Sequence, residues 1–308
     1  MTQNTKGARH MSALHHVILD TDIGTDVDDL MALALIFGSP EIELLGVTTV
    51  YGDTALRGRM TKRIAEIAGV TIPVHAGESE TLSGREIWWA GHEARLYEDL
   101  DRHLLDGDDA VDHLIETVCA EPGTVDVIAI GPLTNIAAAI EREPRFAGAV
   151  RHLWVMGGSF AVEEDSEHNF RSDATAAEIV FAAGIPTTVA GLEITRLITM
   201  GSDALVRMSA SGELGRVIDA EIRQWWEFWG TEWNVPHDPV TVLTLTQPEL
   251  FAFSPRGRIE ILRGGEIEGV SRFHPGEGET RIVTGLDAEA VAEAIVVGIV
   301  GAAIDTAV

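Results

Sequence analysis

Five aspartates fall within ten positions near the start of the chain, immediately after the apolar run 17–19. They are Asp20, Asp22, Asp26, Asp28 and Asp29. Two like charges about 4 Å apart repel by roughly 4 kcal/mol at an effective dielectric constant near 20. No lysine or arginine lies between residue 17 and Arg57, so neighbours in the sequence supply no compensating positive charge. The cluster therefore requires raised pKa values or a bound cation, and the cation is the simpler source of that charge.

The candidate ligand atoms of this cluster are all oxygens, because no cysteine and no histidine lies among the aspartates. Oxygen ligands favour a hard cation, and a flexible site built only from oxygen suits Ca²⁺ better than Mg²⁺. In the alternative interpretation the acids cap the next helix and face solvent, which Asp28 and Asp29 could do unaided. Five carboxylates that follow a buried strand favour the cation site.

The elements around the cluster predict its place in the fold. The run 17–19 is typical of a buried parallel strand, and the Ala-rich segment 31–37 is typical of a helix. A second apolar strand is predicted over 44–51, and Asp53 follows it closely. Ligands of open α/β sheets bind beyond the carboxyl ends of strands. Asp53 therefore either reaches the same crevice or caps the predicted helix 54–68, and the sequence favours neither.

Strand and helix patterns alternate along the rest of the chain. Further strands are predicted at residues 72–76, 125–130, 152–156, 187–190 and 281–284. Helical patterns separate most of them, and residues 257–273 alternate like an exposed β-hairpin. The alternation predicts the α/β class, with a single open, mostly parallel sheet flanked by helices. We expect one domain over 14–308 and a disordered lead-in over 1–13.

The segment 77–109 has no regular periodicity. Loops of this length within a compact domain are usually functional or mobile, so we expect this segment to act as a lid.

Four tryptophans recur at roughly helical spacing later in the chain: Trp225, Trp226, Trp229 and Trp233. Such a stripe usually belongs to the core or to a subunit interface. One of its members could instead stack on an aromatic substrate.

The overall composition excludes several classes of partner. The formal net charge is -27 with a pI of about 4.6, which argues against binding to nucleic acid or to an anionic membrane by charge. Cys119 is the only cysteine, so an intramolecular disulfide is impossible and a reducing compartment is expected. Residues 1–16 lack the apolar core of a signal peptide, and Glu293, Gly298 and Gly301 interrupt the longest apolar run. We expect a cytoplasmic protein that acts on a small molecule.

Several motifs, in one order along the chain, resemble those of a known enzyme family. They are the aspartate cluster, GVTTVYGD at 46–53, GPLTNI at 131–136, WVMGG at 154–158, Glu167-His168-Asn169 with Asp173, and His237-Asp238-Pro239. On these motifs the chain resembles the nucleoside hydrolases of the inosine-uridine-preferring type. The resemblance implies a metal-dependent hydrolysis that cleaves the N-glycosidic bond of a ribonucleoside and releases ribose and a free base.

The resemblance also implies the composition of a metal site. Members of the family hold one Ca²⁺, and on this sequence the ligands would be Asp22, Asp29, the main-chain carbonyl of Ile130, and Asp238. Asp28 would be the general base that takes a proton from the attacking water. Members are often homodimers or homotetramers, so the resemblance implies a homo-oligomer as well.

Further residues would surround the substrate if the resemblance holds. Asp53, Met156, Glu167 and Asn169 would lie around the ribose, and His237 would lie near the leaving base. Cleavage builds positive oxocarbenium character on the sugar, which nearby carboxylates stabilise. Protonation of the leaving base needs an acid that titrates near neutrality, as a histidine can. The alternative for His237 is a residue at a helix start that only bonds to its neighbours.

The chain departs from the usual family pattern at several positions. Thr25 and Asp26 appear as an insertion, which leaves open whether Asp26 joins the metal ligands or replaces Asp22. Asp53 stands where members commonly have Asn, and His168 stands where they commonly have an aromatic or apolar residue. These changes cluster where the base and the 5′ group would lie, so the sequence does not identify the base.

Three other functions fit parts of the sequence. A phosphatase of the haloacid-dehalogenase type could use the segment Asp20-Thr21-Asp22 as its nucleophile loop, but Lys62 is the only lysine outside the lead-in and belongs to an early helix. A Ca²⁺-stabilised protein that binds ribose or a nucleoside without turnover is the second alternative, and a hydrolase acting on a modified riboside is a third.

Overall fold

The computed structural model of the protein describes residues 14–160 and 166–304. The lead-in expected over 1–13 lies outside these residues. Within them, a ten-stranded sheet is covered by helices on both faces. This architecture confirms the predicted α/β class with a mostly parallel, open sheet.

Seven of the ten strands form the parallel part of the sheet. They are β1 (His15–Thr21), β2 (Ile42–Thr49), β3 (Val74–Ala76), β4 (Val125–Ala129), β5 (His152–Met156), β6 (Thr187–Ala190) and β10 (Thr280–Leu286). The antiparallel strands are β7 (Phe251–Phe253), β8 (Gly257–Ile261) and β9 (Ser271–Pro275). The main path of the sheet runs β3-β2-β1-β4-β5-β6-β10-β8-β9, and β7 pairs with β10. β1 therefore lies inside the sheet, next to β2 and β4.

The helices alternate with the strands along the chain. They are α1 (Asp28–Phe37), α2 (Thr54–Ile67), α3 (Ala110–Ala120), α4 (Thr134–Arg142), α5 (Phe146–Ala149), α6 (His168–Ser172), α7 (Ala174–Ala182), α8 (Leu192–Thr195), α9 (Ser202–Ser209), α10 (Glu213–Trp229), α11 (His237–Thr246) and α12 (Ala288–Ile304). In the part of the chain that the structure describes, none of them combines the length and the apolar character that crossing a bilayer demands.

Two hydrophobic cores, one on each face of the sheet, explain why β1 is apolar at every position of its centre. Val17 and Leu19 pack into the core that includes α1, α11 and α12. Ile18 points to the opposite face, into the core with α3, α4 and α7. Because successive side chains of a strand point to opposite faces, a strand covered on both faces is apolar throughout.

The register of the parallel strands brings their carboxyl ends together. Thr21 at the end of β1 pairs with Thr49 at the end of β2, and the Ile130 N–H donates to the Asp20 carbonyl at 2.9 Å. The aspartates that follow β1 therefore lie beside the residue that follows β4. This edge of the sheet is the one where ligands of open α/β sheets bind.

Two short elements differ from the sequence expectations. The segment around residue 168, for which the sequence analysis gives no helix, contains α6, whose N-cap is Glu167. β7 was not predicted at all, because it has three residues and only tertiary pairing with β10 defines it. The segment 77–109 is irregular apart from one turn of 3₁₀-helix at Leu100–Arg102, as its lack of periodicity indicated.

Candidate active site

A cleft of about 550 Å³ opens at the carboxyl ends of β1, β4 and β5. Its inner wall is strongly acidic. Its lining includes Asp22, Asp26, Asp28, Asp29, Glu167 and Asp238, and Glu86 of the 77–109 segment also lines the cleft. Most residues that the sequence pointed to thus lie in one cavity, although the stretches that carry them are far apart along the chain.

Three carboxylates form the centre of this wall. Asp28, Asp29 and Asp238 are buried, and each offers an oxygen within 4.8 Å of the others. Asp28 and Asp29 begin α1, whereas Asp238 lies in the first turn of α11. The two helices pack against each other, and their N-termini favour negative charge at this point. The N–H of Asp238 donates to Asp28 Oδ2 at 3.4 Å, which links the two helix starts directly.

Asp22 and Asp26 lie at the margin of this group. Both line the cleft, and Asp22 is 8% exposed, but neither belongs to the group of three with oxygens within 4.8 Å. One oxygen of Asp26 accepts the N–H of Val27 at 2.6 Å. The Thr21 hydroxyl donates to Asp29, so the last residue of β1 also orients one carboxylate of the centre.

The carboxylates of the acidic wall need compensating positive charge if they are to be ionised together. Burial is the largest cause that raises the pKa values of Asp28, Asp29 and Asp238 well above the usual range for aspartate, and the neighbouring carboxylates raise them further. Burial likewise raises the pKa of Asp26 to about 8. Carboxylates crowded into a buried wall therefore ionise together only with compensating charge.

Asn169 connects the ends of β4 and β5 at the floor of the cleft. Its Nδ2 donates to the Ile130 carbonyl at 2.8 Å and to the Met156 carbonyl at 3.3 Å. Both amide hydrogens can thus be used inside the protein, and the Oδ1 atom is left to accept from a ligand. Ile130, Met156 and Asn169, all three of which the sequence singled out, line the same cavity.

Glu167 is held by main-chain donors. Its Oε1 accepts from the Asn169 N–H at 2.7 Å, and its Oε2 accepts from the N–H groups of Gly158 and Phe170 at 3.0 and 3.1 Å. Burial raises its pKa, and these hydrogen bonds together with His168 oppose that shift. The carboxylate is therefore fixed in place beside the cavity.

His237 lies at the start of α11 and lines the cleft. Its Nδ1 is 2.6 Å from the Thr195 hydroxyl, and burial, assisted by the charge of Arg196, lowers its pKa to about 4. The imidazole is therefore neutral at pH 7. This differs from the sequence-based expectation of an acid that titrates near neutrality.

Asp53 is the one expected site residue that the structure places away from the cleft. Its side chain is exposed, and Oδ1 accepts the Leu56 N–H at 2.9 Å, so it caps the N-terminus of α2. It is not among the residues that line the cavity. Of the two possibilities that the sequence left open, the helix cap is the one observed.

The outer part of the cleft contains aromatic residues, most of which sequence reasoning did not assign to the site. Trp88 comes from the expected lid segment. Its main-chain N–H donates to the Tyr51 hydroxyl at 2.8 Å. Trp225 and Trp229 of α10 line the same cavity, although Trp226 of that stripe is buried in the core. The tryptophan spacing gave only a hint, because spacing on a helix does not say which member faces a cleft.

Comparisons with known proteins agree with this arrangement. The sequence model of the family "Inosine-uridine preferring nucleoside hydrolase" matches residues 17–293. The chain is 33% identical over 277 residues to uridine nucleosidase 1 of Arabidopsis thaliana, which covers 84% of this chain and 80% of that protein. It is 27% identical over 249 residues to the pyrimidine-specific ribonucleoside hydrolase RihB of Shigella flexneri, covering 76% of this chain and 79% of that protein.

A solved structure has the same fold. The plant nucleoside hydrolase PpNRh1 superposes with a TM-score of 0.83 at 28% identity, covering 92% of this chain and 98% of that one. The similarity spans nearly all of the described sheet and helices, and it supports an enzyme over a binding protein without turnover. The chain belongs to the inosine-uridine preferring nucleoside hydrolase family, whose members are metal-dependent enzymes, and it hydrolyses ribonucleosides to ribose and a free base.

Proposed function

We propose that Asp22, Asp29, Asp238 and the main-chain carbonyl of Ile130 hold a Ca²⁺ ion, and that Asp28 is the general base. The observation that carries this proposal is the convergence of buried carboxylates from the starts of α1 and α11, where the proposed ligands Asp29 and Asp238 offer oxygens within 4.8 Å of each other and the proposed base Asp28 lies beside both. Arg85, Arg171 and Arg196 also line the cleft, but no arginine is among the groups that lower the raised pKa values of Asp28 and Asp238, so a bound cation is the most direct compensation.

The residues of the site fit a hard divalent cation. Every candidate ligand atom is an oxygen, which favours Ca²⁺ or Mg²⁺ over softer metals, and a set of protein carboxylates and a main-chain carbonyl suits Ca²⁺, since Mg²⁺ usually keeps several of its waters. The Ile130 carbonyl accepts one hydrogen bond, from Asn169, and a carbonyl oxygen has a second lone pair. Asp26 lines the same wall and stays a candidate for an additional ligand.

The chemistry divides between the cation and Asp28. When bound, the cation supplies positive charge that keeps the neighbouring carboxylates ionised and makes a nearby water more acidic. Asp28 accepts the proton of the attacking water, and the Asp238 N–H orients the Asp28 carboxylate for that task. General base catalysis of this kind typically contributes about 10²–10⁴-fold to the rate.

Glu167, Asn169 and Met156 form the proposed ribose site. The Oδ1 atom of Asn169 is available to accept from a sugar hydroxyl because its amide nitrogen is engaged with two carbonyls. Glu167 contributes a fixed negative charge near the sugar, which stabilises the oxocarbenium character of the transition state. Positions fixed by main-chain bonds need no rearrangement when that charge develops.

His237 is proposed to lie beside the leaving base. Because its imidazole is neutral at pH 7, it would act as a hydrogen-bonding partner of the base rather than as a stored proton. The Thr195 hydroxyl at Nδ1 fixes the orientation of the ring, which leaves Nε2 for the base. Trp225 and Trp229 add aromatic surface to the outer cleft, where a base could stack.

The reaction and the metal are tested together by release of reducing sugar from a panel of purine, pyrimidine and nicotinamide ribosides. Uridine heads the panel because the Arabidopsis relative is named for it. We expect release that EDTA stops and that added Ca²⁺ restores better than Mg²⁺. Asp29→Asn is expected to abolish the response to Ca²⁺, whereas Asp203→Asn, an exposed aspartate in the first turn of α9, is the matched control.

The outcomes separate the parts of this proposal. Ribose release that EDTA does not affect would contradict the metal assignment. Restoration by Mg²⁺ alone would contradict Ca²⁺. Ca²⁺ binding without release from any member of the panel would point to a hydrolase for a modified riboside.

We also propose a cytoplasmic homodimer or homotetramer. A single, partly buried cysteine supports a reducing compartment. Trp229 and Trp233 are 57% and 52% exposed in one copy of the chain, which supports an association surface near the end of α10. Light scattering of the purified protein and its Trp233→Ser variant tests the assembly, and a monomer in both would contradict it.

A further inference from the structure

Arg57 of α2 is a buried cation directly behind the acidic wall. It is 1% exposed and is among the largest fully buried side chains in the part of the chain that the structure describes. Among the described residues no carboxylate oxygen lies within ion-pair distance of it, although its charge opposes the rise in the pKa values of Asp22 and Asp29. An arginine that is buried without a carboxylate at ion-pair distance needs other acceptors for its hydrogens, because burial of a charged group without hydrogen bonds costs free energy.

The acceptors of Arg57 are main-chain carbonyls of the loop that carries the aspartates. Its Nη1 donates to the carbonyls of Asp22 and Ile23, the latter at 2.8 Å. Its Nε donates to the Tyr51 carbonyl at 2.7 Å. One planar guanidinium therefore joins the loop after β1 to the end of β2 and fixes the direction in which Asp22 leaves the strand.

Thr25 of the same loop completes this arrangement. Both terminal nitrogens of Arg57 lie 3.3 Å from the Thr25 hydroxyl, which in turn donates to Glu93 at 3.3 Å. The Thr25 carbonyl is 2.8 Å from Nε2 of His92. The loop between β1 and α1 is therefore held by α2 on one side and by the 77–109 segment on the other.

The same helix packs directly on the loop, and an aromatic ring covers the guanidinium. Gly24 has a φ of +112°, and a Cβ there would lie 2.8 Å from Met60 Sδ, one turn after Arg57. The Arg57 guanidinium carbon lies 4.8 Å from the centre of the Trp89 ring. A cation–π contact of this kind keeps water from competing for the guanidinium hydrogens.

We propose that Arg57 is a positioning residue that orders the aspartate loop for cation binding. This inference rests on the metal site proposed above. The planar guanidinium group of Arg57, and not only its positive charge, is needed for this role. Its coplanar donors reach several separate acceptors, which the single ammonium group of a lysine does not reach together. Groups that orient metal ligands in this way typically change metal affinity or activity by about 10–100-fold when they are replaced.

The test compares Ca²⁺ affinity, measured by calorimetry on the full chain, with kcat and KM measured separately. Arg57→Lys keeps the charge and Arg57→Gln removes it. We expect both to weaken Ca²⁺ binding by about 10–100-fold and to lower kcat more than they raise KM. Arg59→Lys is the control, since Arg59 lies on the same helix and only contacts Asp101 at 3.3 Å, near the surface.

Thr25→Val covers the case in which the Arg57 variants fail to fold. It removes one acceptor of the Arg57 guanidinium in a half-buried loop, and we expect a smaller loss of Ca²⁺ affinity in the same direction. Wild-type affinity in Arg57→Lys with a loss in Arg57→Gln would show a role of charge alone and overturn the proposal. Wild-type affinity in Thr25→Val and in every folded Arg57 variant would overturn it too. Failure of the wild-type chain to bind Ca²⁺ would instead overturn the metal site, and this inference with it.

Discussion

The N–H of Asp238 donates to Asp28 Oδ2 at 3.4 Å, which joins the starts of two helices that are 210 residues apart along the chain. Both residues are buried, and with Asp29 they form the closest group of carboxylates in the described cleft. One helix supplies the proposed base and the other supplies a proposed metal ligand. The relative position of α1 and α11 therefore controls the distance between the two functions.

Asp28→Asn should separate catalysis from metal binding. We expect kcat to fall by about 10²–10⁴-fold because an amide cannot accept the proton of the attacking water. Ca²⁺ affinity should change little, since Asp28 is not among the proposed ligands. Ribose release and calorimetry on the same preparation measure both quantities. Near-normal kcat would contradict the assignment, and Asp26 would be the next candidate for the base.

Asp238→Asn should have the opposite profile. It removes one negative charge from the proposed ligands, so we expect weaker Ca²⁺ binding and a loss of turnover that high Ca²⁺ partly restores. A ligand present at about 100 times its dissociation constant stabilises the folded protein by about 2.7 kcal/mol. We expect added Ca²⁺ to raise the unfolding temperature of the wild type clearly and that of Asp238→Asn much less. Equal stabilisation of both would remove Asp238 from the ligands.

The sequence predicted the parts of the site that local patterns determine. The apolar run before Asp20 defined β1, and the alternation of strands and helices placed its carboxyl end at the crevice. Asp238 could be joined to Asp28 only through the family resemblance, because no local pattern links residues that distant. Asp53 could not be placed, since helix capping and a cleft position use the same carboxylate and only tertiary structure selects one.

Arg57 shows a second limit of the sequence. Its helix, α2, contains several charged residues. Such a pattern predicts that one face of the helix is solvated, but it does not indicate which arginine is buried. Arg57 contacts the main-chain carbonyls of Asp22 and Ile23, which are distant from it along the chain. The periodicity of α2 therefore carries no information about these contacts. The neutral state of His237 was likewise hidden, because burial by α8 and α11 sets its pKa.

His237→Ala should affect substrates according to their leaving groups. We expect a large fall in kcat/KM with natural ribosides, whose bases need a hydrogen-bonding partner to depart, and a small fall with activated aryl ribosides. Thr195→Val should act in the same direction but more weakly, because it removes only the contact at 2.6 Å that orients the ring. An equal loss with both classes of substrate would exclude a role at the leaving base.

Tyr51→Phe should loosen the outer wall of the cleft. The Tyr51 hydroxyl accepts a hydrogen bond from the main-chain N–H of Trp88 at 2.8 Å. Removal of this acceptor frees the part of the 77–109 segment that lines the cavity. We expect KM to rise by several-fold and kcat to change little, since the acidic wall is not altered. A change confined to kcat would show that Tyr51 acts on the chemistry instead. Tyr97→Phe serves as the control for a general loss of packing. Tyr97 belongs to the same segment and packs against the hydrophobic core that includes residues of α10.

Glu221 should give the protein a pH-dependent stability that is independent of the active site. Burial raises its pKa from the ordinary value near 4.5 to about 7, although the Tyr97 hydroxyl opposes the shift. Below pH 4.5 both the folded and the unfolded state bind this proton. Between pH 4.5 and about 7 only the folded state retains it, so the contribution of Glu221 to the free energy of unfolding falls as the pH rises.

The neutral variant Glu221→Gln should remove this dependence. Each unit of pKa difference corresponds to about 1.4 kcal/mol, so at pH 8 the variant should be more stable than the wild type by up to about 3 kcal/mol, and near pH 4.5 the difference should vanish. Urea unfolding at both pH values, in the presence of EDTA, measures it. Glu227→Gln changes an exposed glutamate of the same helix and should show no such trend. A gain that does not depend on pH would mean that packing, rather than ionisation, accounts for the effect of Glu221.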